Sequence, residues 1–558
     1  MSNRPLPIGH QDFKELRDGN YLYVDKSDMI SQIVKDRAKV YLYTRPRRFG
    51  KSLNLSMLDA FFNIQYSKDN TWFEGLKVSD CIECRDHKNS YPVICFDFKD
   101  IGSDNSDGFT KDILSKVADV YRDHSYLLNS DRIDVFDKNY IKGILSKTLG
   151  LPDIRRSLLD LSRMLYQHHG KEVVVLIDEY DNPINNSFGK KSYEESLQFI
   201  RVMLSSVMKG NRYLAFGVIT GVMQISKESI FSGLNNIKVN NIFSKDFDEV
   251  FGFTDDDVRS ILSEYGHPES YDEVRAWYDG YIFGDVDIFN PWSLLNYIDN
   301  GFTPGTYWAG TSGNSIIESL LECASPQLYD ELQILSNGGS IRKKVNPAIT
   351  FDDLRNGKDS IYSMMVMSGY LSAVPSGNGY DLSLPNGEMH VVFGDTIGSY
   401  LDRNVADGSF NSWITTLSDA LMGNDPSTIR DVLHDLFTES TGSLMLSSEN
   451  IYRTYLLGVM MPLRGTYSLS AEFENGNGRY DIMLRSNIPR FPNIIIEIKR
   501  STSKSSLQSD AETALLQIED RNYVHGLSGK TILYGISFFG KEPCVVSDVL
   551  PSPQTSSL

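Results

Sequence analysis

The chain has 558 residues and a mass of 63.0 kDa, which at about 100–200 residues per domain suits three to five domains or subdomains. Apolar residues make up 41% and charged residues 23%, so most of the chain should fold. Lys and Arg number 55 against 73 Asp and Glu, a net charge of −18. That balance excludes a protein coated in basic charge for nucleic acid, but not a local basic groove.

The acid is unevenly spread. Carboxylates gather between Phe251 and Asn300 (Asp255, Asp256, Asp257, Glu264, Glu269, Asp272, Glu273, Asp279, Asp285, Asp287, Asp299), whereas the region from 441 onward is near neutral. No apolar run reaches the 18 residues of a membrane span, and MSNRPLPIGHQDF has no apolar leader core. The expectation is a cytoplasmic protein with no membrane partner. Five cysteines are few and odd in number, which speaks against a disulfide framework. Cys81 and Cys84 form one CxxC with His87 nearby. A structural zinc site needs four ligands and no second pair is spaced for it, so the expectation is reduced cysteines in a loop before a strand.

In chain order, KVYLYT (Lys39 to Thr44), VICFDF (Val93 to Phe98), VVVLI (Val173 to Ile177) and LAFGVIT (Leu214 to Thr220) are near-continuous apolar runs. Such runs suit strands buried on both faces of a parallel sheet. Helical segments lie between them, among them one carrying Leu55, Leu58 and Phe62 on one face and another from Ile154 to His168. This is an α/β pattern. From about Glu249 the chain turns helical and acidic. SIYSMMVMSGYLSAV then reads as a helix, followed by strand-like YDLSLP and EMHVVF joined at Asn386-Gly387, a hairpin signal. Helix plus hairpin suits a small winged-helix unit or a plain α+β connector. The last region opens with a helix and continues into strands at YDIML and NIIIEIK. The expected divisions are an α/β domain over 1–245, a helical acidic region over 246–340, a connector over 341–435, a second α/β domain over 436–546 and a disordered polar tail over 547–558.

Thr44-Arg45-Pro46-Arg47-Arg48-Phe49-Gly50-Lys51-Ser52 follows a strand and opens a helix, the context a phosphate-binding loop requires. The first glycine of GxxxxGK(S/T) is replaced or displaced, while Gly50-Lys51-Ser52 is intact. Gly50 would let the backbone approach a phosphate, Lys51 would reach the β- and γ-phosphates, and Ser52 would hold Mg²⁺. Arg47, Arg48 and Phe49 complete the candidate ATP cradle. The arginines, Arg45 included, either contact phosphate or pair with Asp25 or Asp178 for structural reasons. A surface turn is the alternative for the tripeptide alone. The second half is VVVLIDEYD: Asp178 at a strand tip would hold the Mg²⁺ shell and Glu179 would polarise the attacking water. Together the two halves are far more specific than either alone. Thr220, ending the next strand, is placed to sense the γ-phosphate or is an ordinary strand-end threonine.

Near the C-terminus, Asp481 opens one strand, and Glu497 and Lys499 alternate with apolar residues on the next, so they share a face. Two carboxylates can hold Mg²⁺ or Mn²⁺ through hard oxygen ligands, with Lys499 positioning or activating a water. An edge strand of solvated charges is the alternative. Lys499, Arg500, Lys504, Arg479 and Arg485 form a modest basic rim or are scattered surface bases.

LPIGHQDFKELRDGNYLYVDKS, TRPRRFGKSLNLSML, LIDEYDNP, ITGVMQISKESIFSGLNN, WYDGYIFG and FNPWSLL resemble the AAA-ATPase-like family, over nearly the whole chain. In that family the ATPase domain is usually joined to a C-terminal domain of the PD-(D/E)XK nuclease superfamily. The architecture also resembles STAND-type archaeal ATPases. The resemblance implies an N-terminal P-loop NTPase with a parallel sheet, a helical or winged-helix-like middle and a restriction-endonuclease-like α/β end. It implies ATP and a divalent metal as cofactors. It adds Glu449, in the helix before Asp481, as a further acidic ligand, and matches Ala514 to Ile518 to the family's AxxQI, which includes Gln517. Two positions depart from the pattern: Ile282 stands where members often have Arg in WYDGYRF, and Arg453 stands where they often have His after Tyr452.

Two functions compete. In the first, ATP bound at Lys51 and Asp178 gates a metal-dependent nuclease acting on DNA or RNA through Asp481, Glu497 and Lys499. In the second, the chain is a nucleotide switch whose nuclease-like domain binds without cutting, with the aromatics Trp277, Tyr278, Tyr281, Phe283 and Trp292 as a partner surface rather than helix core. A translocase is weaker, for want of further motifs. Homo-oligomerisation is open, since many ATPases place an arginine finger across a subunit interface.

Overall fold

The computed structural model describes residues 4–102, 105–224, 237–308, 338–348, 360–394, 409–440, 449–460, 467–471, 478–486, 491–520 and 529–550, with several shorter pieces between. The chain divides into two compact units, Met1–Val391 and Val392–Leu558.

The first unit is built on a five-stranded sheet. The expected apolar runs form β1 (Val40–Thr44), β2 (Val93–Asp97), β3 (Val173–Asp178) and β4 (Leu214–Gly221). A fifth strand that the pattern did not signal, β5 (Ile237–Asn240), pairs with β1. All neighbours are parallel, in the order β2-β3-β4-β1-β5. Val40 to Tyr43 and Val173 to Ile177 are almost completely buried, as strands covered on both faces require. The helix Lys51–Phe62 follows β1 directly and buries Leu55, Leu58 and Phe62. The helix expected from Ile154 to His168 is broken: Leu151–Ile154 ends, and Ser157–His169 begins after Arg155-Arg156.

The acidic segment forms the helices Asp255–Glu264, Tyr271–Tyr278 and Pro291–Asp299 around the short pair β6 (Tyr281–Phe283) and β7 (Val286–Ile288). Its acids begin helices: Thr254 and Asp257 make a reciprocal cap that holds two end amides. Its aromatics are mostly core, with Tyr278, Tyr281 and Phe283 buried. The helix Ser360–Ser368 lies in sequence between β8 (Ile341–Lys343) and the hairpin strands β9 (Ser372–Ser376) and β10 (Gly379–Ser383), and the three strands form an antiparallel sheet in the order β8-β10-β9.

Here the expected hairpin at Asn386-Gly387 is wrong. The hairpin is β9–β10, turning at Gly377, and EMHVVF is helical from Gly387 to Gly394. Asn386 acts as an N-terminal cap, its Oδ1 accepting from the Met389 amide at 3.0 Å. Asn serves turns and helix caps for the same reason, a short side chain that bonds nearby amides, so the dipeptide was ambiguous. The cysteine expectation also fails: Cys81 and Cys84 are joined as a disulfide, at a Cα separation of 5.3 Å that suits the bond.

Glu388, on this helix, is fully buried and accepts from Ser293 Oγ at 2.7 Å and the Trp308 amide at 2.6 Å. Burial pushes its carboxyl above the ordinary range, against the pull of those bonds. A raised folded-state value means the fold favours the protonated form. Stability is then full below the unfolded-state value and falls as pH rises toward the folded one. Glu388→Gln keeps the shape and removes the charge. It is expected to raise the melting temperature by a few degrees at pH 7 and to leave it unchanged near pH 4, measured by calorimetry.

The second unit holds a mixed five-stranded sheet in the order β11-β14-β15-β16-β17, with β11 (Tyr467–Ala471), β14 (Ile482–Ser486), β15 (Asn493–Arg500), β16 (Thr531–Phe539) and β17 (Glu542–Leu550). A small ribbon, β12 (Glu474–Asn475) and β13 (Gly478–Arg479), lies between β11 and β14 in sequence. Only β15 and β16 run parallel. Ile494, Ile496, Ile532, Tyr534 and Ile536 face a core completed by the helices Ser409–Gly423, Pro426–Ser440 and Glu449–Met460. The other face packs Ile495 and Leu533 against Ile518 of the helix Leu507–Asp520. β17 continues to Leu550, four residues into the stretch expected as a disordered tail. Positions 551–558 lie outside the described residues.

Candidate active sites

The first site lies at the carboxyl end of the parallel sheet, where open α/β sheets bind ligands. β1 leads through Arg45 to Phe49 into the helix beginning at Lys51. Gly50 takes φ +82, in the left-handed region that only glycine adopts without strain. No side chain caps this helix, so its first amides and its dipole face the loop. Ser52 Oγ donates to Asp178 Oδ2 at 2.5 Å, and Thr220 Oγ1 donates to Asp178 Oδ1. The two hydroxyls and the strand-tip carboxylate thus meet across three neighbouring elements. This donor set suits a hard divalent ion, and the uncapped helix suits phosphate.

Lys51 is buried and folds back on its own loop, donating to Arg45 O at 3.1 Å and Pro46 O at 2.8 Å. Burial lowers its ammonium's proton affinity, opposed by Glu179 and Asp178. Glu179 follows Asp178 with φ +48, and burial raises its carboxyl despite Lys51. Thr220 is therefore seated on Asp178 rather than standing alone at a strand end. Phe49 is turned away: its ring is buried beside Tyr281 and Phe283, with centroids at 5.0 and 5.2 Å, which leaves only its backbone toward the loop.

The arginines divide. Arg45 pairs with neither Asp25 nor Asp178. It is completely buried and donates to the carbonyls of Thr44 (2.9 Å), Asn240 (3.0 Å) and Phe247 (3.2 Å), between the rings of Phe251 and Phe283. Burial lowers its proton affinity to about 10. It ties the loop's root to β5 and to the segment behind it. Arg45→Met leaves those carbonyls unpaired and should cost about 3 kcal/mol or more, read as a lower midpoint in urea unfolding. Arg45→Lys should recover only part of this, because an ammonium cannot reproduce the planar fork. Arg48 takes φ +69 and lies over the Trp292 ring at 4.3 Å. Arg47 O accepts from Trp308 Nε1 at 3.5 Å.

Two further carboxylates, Asp181 and Asp97, belong to this end of the sheet although no sequence motif marks them. Asp181 Oδ2 accepts from the amides of Val222 and Met223, both at 3.0 Å, and so holds the chain leaving β4. Asp97 ends β2 in register with Asp178, and burial raises its carboxyl. The strand-terminal Asp of VICFDF was the signal available for it.

The second site forms where β14 and β15 meet two helices. Asp481 immediately precedes β14, Glu497 and Lys499 alternate on β15, and Gln517 projects from Leu507–Asp520. The Asp481 amide donates to Glu497 Oε2 at 3.3 Å, Gln517 Nε2 donates to Glu497 Oε1, and Lys499 Nζ donates to Gln517 Oε1 at 2.8 Å. Asp481 Oδ2 accepts from the Ile498 amide at 2.8 Å and Oδ1 from Arg453 Nη1 at 2.8 Å. Glu449 reaches the same strand but accepts from the Arg500 amide at 3.1 Å. Glu497 is buried, an unusual place for a carboxylate without a task. The buried Glu497 and the adjoining Asp481 supply hard oxygen donors that fit a divalent ion. Among the described residues no three acidic, His or Cys side chains converge as a ready cage, so water would complete the shell. Of the basic rim, Lys504 is paired with Glu542 at 3.1 Å, while Arg485 and Arg500 are exposed. Arg453 was noted in the sequence only as a departure. Its bond to Asp481 depends on how the helix Glu449–Met460 packs, which no local pattern records.

Among the described residues, no helix is long and apolar enough to cross a membrane. A relative from Azotobacter chroococcum mcd 1, named "Uncharacterized protein in vnfD 5'region", is 30% identical over 328 residues, 58% of this chain. The chain spans 57% of that protein's length. Residues 7–231 match the family described as predicted AAA-ATPase, and residues 447–547 match the PD-(D/E)XK nuclease superfamily. The N-terminal part of the chain is thus similar to predicted AAA-ATPases and its C-terminal part to the PD-(D/E)XK nuclease superfamily, in the order the sequence motifs led us to expect.

Proposed function

We propose that the protein is an ATP-hydrolysing, nucleotide-gated nuclease that cleaves DNA or RNA phosphodiesters with a divalent metal. The observation that carries this reading is the single hydrogen-bonded network of Asp481, Glu497, Lys499 and Gln517, drawn from two strands and a helix. Asp481 and Glu497 would hold Mg²⁺ or Mn²⁺, with Glu449 as a further ligand. A cation there supplies charge to offset the phosphate and a bound water of lowered pKa. Gln517 orients Glu497 and Lys499 together, so the ammonium is fixed beside the carboxylates. At the other site, Lys51 and the loop amides would bind the β- and γ-phosphates, with Arg47 and Arg48 alongside. Ser52 and Asp178 would hold Mg²⁺, Thr220 would register the γ-phosphate, and Glu179 would take a proton from water. A carboxyl raised by burial suits that role.

Gating requires that ATP favour one of two states of the protein by a differential interaction. The purified protein should hydrolyse ATP and cut labelled DNA or RNA with Mg²⁺ or Mn²⁺, and both activities should stop with EDTA. A second reading, a nucleotide switch that binds nucleic acid without cutting, is favoured by one observation: Arg453 already occupies Asp481. ATP turnover with no cleavage under any metal would select it.

A further inference from the structure

The acidic pair of the second site carries its own cation. Arg453 lies one turn beyond Glu449 on the same helix. Its Nη1 meets Asp481 Oδ1 at 2.8 Å, with side-chain exposures of 14% and 18%. The other oxygen, Oδ2, is taken by the Ile498 amide, and both oxygens of Glu497 accept from Gln517 and the Asp481 amide. Each carboxylate oxygen of the pair therefore has a donor. The guanidinium therefore has to be displaced before an ion can reach Oδ1. A divalent ion approaching Asp481 must break a charge-assisted bond in a half-buried setting and meets a like charge beside it.

We propose that Arg453 is a resident counter-ion that stands in place of the metal at Asp481, weakening divalent-ion binding and setting the metal concentration at which the site becomes competent. The inference rests on the reading that Asp481 and Glu497 bind metal. Arg453 touches neither substrate nor reacting atoms in this role. It is a positioning residue, acting through Asp481.

The test is Mn²⁺ binding to the full-length protein without nucleotide, followed by electron paramagnetic resonance and by calorimetry. Wild type is compared with Arg453→Gln, Arg453→His and Asp481→Asn, and the site of interest is the one lost in Asp481→Asn. Arg453→Gln should bind Mn²⁺ about tenfold more tightly than wild type, a difference near 1.4 kcal/mol. Arg453→His should also bind more tightly, and it serves as the reading if the Gln variant fails to fold. A residue of merely structural value would weaken the site on removal, so the direction alone discriminates. Equal or weaker Mn²⁺ binding in folded Arg453 variants, with wild-type binding still dependent on Asp481, overturns the inference and leaves the metal reading standing. No Asp481-dependent Mn²⁺ in any variant overturns both.

Discussion

Lys51→Ala is expected to lower kcat/KM for ATP by about 10²–10³-fold, the usual cost of removing one preorganised charge from a phosphate site. The wild-type ammonium is held 3.1 and 2.8 Å from two carbonyls of its own loop, Arg45 O and Pro46 O, in a buried position. It therefore waits within the loop rather than searching solvent, and a phosphate needs only to draw it from those carbonyls. Truncation removes the charge and leaves the two carbonyls without that donor, which should cost about 1–3 kcal/mol in stability. The main loss must therefore be read as turnover in protein shown to be folded by circular dichroism. Steady-state hydrolysis measured with and without Mg²⁺ decides it. Turnover unchanged in folded Lys51→Ala would mean that the loop does not handle the phosphates.

Asp481→Asn is expected to lower nucleic-acid cleavage by about 10³-fold or more. Charge stabilisation by a bound metal is worth several kcal/mol, and each ~1.4 kcal/mol is a factor of ten. The amide retains the shape and its oxygen can still accept from the Ile498 amide or from Arg453, so the fold should survive. What is lost is the negative charge beside Glu497. Glu497→Gln should act similarly, and in addition it disturbs Gln517 and through it Lys499. ATP hydrolysis should persist in both variants, because their substitutions lie in the second unit. Cleavage at the wild-type rate by Asp481→Asn would remove this site from the reaction. Cleavage by wild type and not by Arg453→Gln would separately show that Arg453 does more than oppose metal.

The parts of the fold visible in the sequence are those whose burial is two-sided. β1 to β4 were legible because a strand covered on both faces needs apolar residues at nearly every position. β5 was not, since IKVN alternates and its residues are only partly buried apart from Asn240. Asn386-Gly387 misled because hairpin turns and helix caps recruit the same amide side chain, and the deciding contact, Asn386 Nδ2 to Asp279 O at 2.7 Å, spans distant sequence. At the sites, Asp178, Glu497 and Lys499 stood out because chemistry and strand position coincide, Asp481 because it leads into a strand, and Ser52 because it opens the helix that follows one. Asp181, Trp292, Trp308 and the pairing of Arg453 did not. Their importance comes from what folding brings beside them. Arg45 shows the converse: a basic residue inside a phosphate loop invites a phosphate role, yet three carbonyls and two rings claim it.

The proposed control of cleavage at Asp481 by nucleotide at Lys51 is read in a cleavage assay of wild-type and Lys51→Ala protein on labelled DNA and RNA with Mg²⁺ or Mn²⁺, each with and without ATP. ATP should change the wild-type cleavage rate severalfold and leave Lys51→Ala indifferent. Full cleavage by Lys51→Ala, with wild type equally active in the presence and absence of ATP, would contradict it.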